Sequence, residues 1–236
     1  MEENMKYQIQ GDSDCPLVHI HLDRDEVIKI ERGAMAYLSN VELSGKMNSK
    51  KKGVGGLISA MGRSLTSGES LFMTHAKGLS DDACIGVAPS TPGKIQCLTV
   101  DQNHQYCLNT GAFLCCDDSV SYVMKKQSVG KALLGGTGGF FIMETEGYGD
   151  VMVNAFGDLL VLDVTFDRPL TIDNEHVVAW DTSLEYAIRI ASGVFGFTTG
   201  EGLVNEFHGK GKVLIQTRNI HNLAQAIQPF IQTSSN

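Results

Sequence analysis

The stretch HIHLDRDEVIKIERGAMAYLSN, residues 19–40, decides the fold once it is set beside two others from the same chain. These are CLTVDQNHQYCLNTGAFLCCDD, residues 97–118, and VLDVTFDRPLTIDNEHVVAWDT, residues 161–182. With Gly33, Gly111 and Glu175 in register, apolar residues recur at the same places. They are Ile20, Leu98 and Leu162; Leu22, Val100 and Val164; Ile28, Tyr106 and Leu170; Ile30, Leu108 and Ile172; Met35, Phe113 and Val177. Within each pair of neighbouring strands the steps are even, the period of a strand with one buried face. The polar segments DRDE, DQNH and FDRP separate the first two strands of each copy, so each copy is expected to open as a hairpin.

A second anchor follows in each copy. GESLFMTHAKG starts at Gly68, TGGFFIMETEG at Thr137 and GEGLVNEFHG at Gly200, and closing strands ACIGVAP, DVMVNAF and KVLIQTR come after them. Two anchors and five apolar positions recurring three times identify an internal repeat. The expected fold is mainly β: three tandem β repeats in a pseudo-threefold arrangement, in one compact domain over 1–219. The repeats cover about 5–92, 93–157 and 158–219. One hairpin cannot bury its own apolar face, so the repeats must pack on each other. In the tail, Ile220, Leu223, Ala224 and Ile227 follow helical spacing, which predicts a short amphipathic C-terminal helix within 220–236.

Bulk composition narrows the function classes. A chain of 236 residues buries about 70–75% of its unfolded surface and needs no disulfide staples. The 26 glycines against 5 prolines fit many short strands and tight turns. A net charge of −8 argues against a nucleic-acid binder, which needs a basic footprint. None of the six cysteines forms a C-x-x-C pair, so zinc-ribbon and thioredoxin chemistry is not indicated. No signal peptide and no membrane-spanning run is visible, so a cytoplasmic location with reduced thiols is expected, peripheral membrane contact remaining open.

The segments ERGAMAYLSNVEL, GESLF, HVVAWDTSLEY and GEGLV with FHGKGKVLIQTRN resemble the bacterial relatives of the altered-inheritance-of-mitochondria family. The resemblance runs from about residue 5 to 220 and takes in all three repeats. It implies a TRAP-like fold, a short double-stranded β-helix as in the tryptophan RNA-binding attenuation protein. It implies no activity, because the bacterial members have none established. The mitochondrial relatives are linked to inner-membrane organisation, which points to a structural role.

Three candidate sites follow from the residues. His19, His21 and Glu26 have nearly the spacing of the first cupin metal motif, and residues 19 and 21 of a strand point the same way. Against a metal, the repeat register sets them opposite Cys97 and Val161, Thr99 and Asp163, and His104 and Arg168, and no second cupin motif occurs. Second, the glycine-rich segment 50–70 joins Lys50, Lys51, Lys52 and Arg63 to an apolar stripe of Leu57, Ile58, Met61 and Leu65. That pattern suits an interaction loop touching an anionic membrane surface or a protein partner. Third, SVGKALL lacks the flanking residues of a P-loop, and no G-x-S-x-G or triad order occurs, so no catalytic residue and no cofactor is assigned. Cys115 and Cys116 are expected to be core or interface residues. The expected function is a non-enzymatic assembly or scaffold protein, or a membrane-surface-associated interaction module, with self-association among its expected contacts. The alternative is a cupin-like β-barrel binding a small ligand or metal, including an enzyme of that kind.

Overall fold

The computed structural model describes residues 4–11, 14–46, 73–109, 111–126, 141–191 and 202–231. After β1 (Lys6–Gln10), the first unit comprises β2 (Leu17–Leu22), β3 (Val27–Glu31), β4 (Met35–Ser39), β5 (Val41–Lys46), β6 (Met73–Gly78) and β7 (Ala83–Val87). The second comprises β8 (Ile95–Val100), β9 (Tyr106–Asn109), β10 (Phe113–Asp117), β11 (Val120–Lys126), β12 (Phe141–Gly147) and β13 (Gly149–Asn154). The third comprises β14 (Leu159–Val164), β15 (Leu170–Asp173), β16 (Val177–Asp181), β17 (Glu185–Ile190), β18 (Leu203–His208) and β19 (Gly211–Gln216).

Each unit pairs its strands identically. The first strand pairs with the sixth and the sixth with the third: β2–β7–β4, β8–β13–β10 and β14–β19–β16. The fourth pairs with the fifth and the fifth with the second: β5–β6–β3, β11–β12–β9 and β17–β18–β15. Even the irregularities repeat. The third strand shifts register against the sixth between Met35 and Tyr37, between Phe113 and Cys115, and between Val177 and Ala179.

The expected opening hairpins do not form. β2 lies between β1 and β7, whereas β3 lies between β6 and β10 in another sheet. Only isolated bridges, Asp101 to His104 and Thr165 to Arg168, close the corresponding turns. Alternation shows that each strand has a buried face, but two strands facing one core from opposite sheets alternate as hairpin partners do. Val18, Ile20 and Leu22 from one sheet share a core with Ile28, Ile30, Leu114, Cys115 and Met152 from the other.

Units join in a row by a second rule. The second strand of one unit pairs antiparallel with the third strand of the next: β3 with β10, and β9 with β16. A central core, mostly of the second unit, reaches Met73 of the first unit and Val178, Ala179 and Leu214 of the third. The third unit's own core centres on Trp180, Phe207 and Val213, with Cys107 and Ile142 from the second. Connectors between units also lie side by side. Gly93 bridges Gly157, and Lys94 N–H donates to the Gly157 carbonyl at 3.0 Å. A Cβ on Gly93 would fall 1.8 Å from the Ala155 oxygen, so only glycine permits this approach.

The chain continues into α1 (Ile220–Ile227). The Asn219 side chain caps it by accepting from Asn222 N–H at 2.7 Å. Ile220, Leu223 and Ile227 form the expected apolar stripe, yet all three remain exposed.

Candidate assembly surface

The three third strands occupy equivalent places but not equivalent surroundings. Every residue of β10 and β16 is buried, and every residue of β4 is exposed. Leu38 is 39% exposed, whereas its counterparts Cys116 and Trp180 are 1% and 0%. Tyr37 is 39% exposed against 0% for both Cys115 and Ala179; Met35 is 40% against 2% for both Phe113 and Val177. The cause is topological. β3 and β9 run along β10 and β16, and among the described residues no strand runs along β4 on the side away from β7. The complementary vacancy lies at the other end of the row. Among the described residues β15 pairs only with β18, leaving the edge by which β3 and β9 hold their neighbours.

Side chains from the turns finish each internal junction. At the first, Lys29 Nζ donates to the carbonyls of Asp118 and Val120 at 2.6 and 2.9 Å. At the second, Thr182 N–H donates to the Gln105 carbonyl at 3.0 Å, and His104 Nε2 bonds Asp181 Oδ1 at 2.8 Å. Asp181 Oδ2 also accepts Lys212 N–H at 2.7 Å, as Asp117 Oδ2 accepts Asp150 N–H at 2.7 Å. The sequence reading overlooked this pair of carboxylates, although they stand in register; Ser39 takes their place in the first unit. Burial pushes the Asp117 carboxyl up to about 6, with the charges of Asp150 and Glu26 acting in the same direction.

The predicted metal residues are placed as follows. His19 and His21 meet, Nε2 to Nε2 at 3.1 Å, and His19 Nδ1 bonds the Tyr37 hydroxyl at 2.6 Å. The Tyr37 ring lies over Gly86 on the strand between them, where a Cβ would come 2.2 Å from the ring. Glu26 instead turns into its own loop, where Oε2 accepts Asp23 N–H at 2.7 Å. The cupin-like trio is thus not brought together, and among the described residues no three His, Cys, Asp or Glu side chains are grouped to hold a metal. The histidines tie β2 to the exposed β4. Lys50, Lys51, Lys52, Leu57, Ile58, Met61, Arg63 and Leu65 lie outside the described residues. Cys115 and Cys116 are buried, and burial pushes the Cys116 thiol up to about 12.

Two cavities lie at the junctions. One, of about 670 Å³, is bordered by Asp23, Glu26, Asp117 and Asp118 between the first and second units. The other, of about 430 Å³ between the second and third units, is lined by Asn109, Asn154, Asn174 and Gln216. Asn154 Oδ1 is buried there with no hydrogen-bond partner among the described residues.

The family model described as mitochondrial biogenesis AIM24 matches residues 7–218, a span that includes all three units. The chain belongs to the AIM24 family. It is 42% identical over 240 residues to an uncharacterized protein of Streptococcus pyogenes serotype M6, covering 100% of this chain and 95% of that one. It also matches a Streptococcus pyogenes protein whose crystal structure was a structural-genomics target. The TM-score is 0.79 at 38% identity, over 96% of this chain and 100% of that one. This AIM24 chain shares that protein's fold, mainly β in several sheets with one short C-terminal helix. No helix among the described residues is long and apolar enough to cross a membrane.

Proposed function

We propose that this AIM24 chain is a non-enzymatic assembly module that acts by lending the exposed edge of β4 to a protein strand. One observation carries the reading: β10 and β16 are buried and flanked by a strand from the preceding unit, and β4, built on the same plan, has no such strand among the described residues. A bare edge offers unpaired N–H and C=O groups, a template for another strand.

The magnitudes suit a reversible contact. Covering Met35, Tyr37 and Leu38 as fully as their counterparts contributes roughly 2 kcal/mol each at about 25 cal/mol per Å². Association costs some 4–15 kcal/mol of rigid-body freedom, so backbone pairing and the facing strand are needed to exceed it. Assembly is therefore concentration-dependent rather than obligate.

Light scattering coupled to size exclusion tests this over a wide dilution range. The wild type is expected to gain mass with concentration. Leu38→Asp, whose carboxylate can reach water because the side chain at this edge is already 39% exposed, is expected to keep the circular dichroism of the fold and to stay monomeric. A wild type that remains monomeric at every concentration refutes self-assembly.

A further inference from the structure

The edge left open at each end of the row is the partner that the other end lacks. We infer that β15 of one copy pairs antiparallel with β4 of a second copy, head to tail, repeating the junction that each chain already makes twice. This rests on the assembly reading above and gives it a partner and a register.

The register follows from the internal junctions. At the first, Cys115, Cys116 and Asp117 face Ile30, Lys29 and Ile28. At the second, Ala179, Trp180 and Asp181 face Leu108, Cys107 and Tyr106. The equivalent residues of β4 are Tyr37, Leu38 and Ser39, and those of β15 are Ile172, Thr171 and Leu170. The intermolecular junction therefore sets Tyr37 against Ile172, Leu38 against Thr171 and Ser39 against Leu170. A slip of one residue would turn the apolar side chains to the wrong face.

Burial on β15 agrees. Thr171 is exposed where Lys29 is half-buried and Cys107 buried, and Leu170 is half-buried where Ile28 and Tyr106 are buried. The turn residues agree too. Arg168 stands where Glu26 and His104 stand, and Ser39 where Asp117 and Asp181 stand, so the new junction sets a cation beside a hydroxyl without like-charge repulsion. The partner is a second chain because β4 and β15 of one chain are not paired with each other, and the first- and third-unit cores are separate clusters. Such a contact is heterologous. Each copy keeps one free edge of each kind, so growth continues until a ring closes or a filament forms.

Disulfide trapping tests the register. Cys15, Cys84 and Cys97 are replaced by serine, leaving the buried thiols. Leu38→Cys and Thr171→Cys are introduced in separate chains, mixed dilute, concentrated and oxidised. Directly opposed strand residues lie within disulfide reach. Most of the protein is expected to shift to twice the chain mass on a non-reducing gel only after mixing. Leu38→Cys mixed with Asp173→Cys, two residues out of register, is expected to lose most of that product. A dimer from Leu38→Cys alone would overturn the inference in favour of β4 pairing with itself. Absence of the mixed dimer while light scattering reports association overturns the register and leaves the assembly reading standing. Chains that stay monomeric overturn both.

Discussion

Trp180 and Leu38 stand at one position of a repeated strand and experience different solvents. Trp180 is fully buried, 5.0 Å from the Tyr186 ring and 5.6 Å from the Phe207 ring between centroids. Trp180→Ala is expected to cost about 3–5 kcal/mol, the range for removing a large aromatic from a packed core. Leu38→Ala is expected to cost less, about 1–2 kcal/mol in the dilute monomer, because the side chain is already 39% exposed and loses only part of a core leucine's contacts. Urea unfolding of both variants checks the contrast; equal losses would mean that β4 is covered in the monomer. Asp117 adds a pH signature. Its folded pKa, about 6, lies above the ordinary 3.8, so between these values the folded chain holds a proton that the unfolded chain has released. Its contribution is present at low pH and is lost as pH rises through 6, an effect of about 2–3 kcal/mol. Asp117→Asn keeps an acceptor for Asp150 N–H and has no charge to bury. Its stability relative to wild type is expected to rise between pH 4 and 6 and then level off; a pH-independent difference in urea midpoints would remove Asp117 as the cause.

Among elements, strand existence was legible and strand partnership was not. The alternating Val18, Ile20, Leu22 and Ile28, Ile30 marked β2 and β3 correctly, and all five are essentially inaccessible. The same alternation suggested a hairpin that the structure replaces with two sheets, because periodicity reports which face is buried and not which backbone lies alongside. The tail was legible as helix from its spacing, and its stripe is exposed all the same. The His-x-His spacing showed that two imidazoles share a face. It did not show that one bonds Tyr37 two strands away or that Glu26 turns into its own loop. β4 reads as a strand equal to β10 and β16, since MAYLS, FLCCD and VVAWD are all suited to burial. Its edge was invisible because whether a neighbour exists depends on how the three units are joined.

For the whole molecule, assembly and stability are linked. A contact made only by folded chains raises the unfolding temperature by mass action. The wild-type Tm is expected to climb with protein concentration and that of Leu38→Asp to stay constant, as read by differential scanning fluorimetry across a dilution series. A wild-type Tm that does not move with concentration would argue against association of folded chains. Sequence alone determined that the chain is built three times from one β plan. A pattern of buried faces is written residue by residue, and repetition makes it visible. Only the tertiary structure decided that the units join in a row by second-to-third strand pairing, leaving β4 and β15 as unmatched ends among the described residues. Which strand lies beside which is settled by backbone hydrogen bonds between distant segments, and those bonds depend little on side-chain identity.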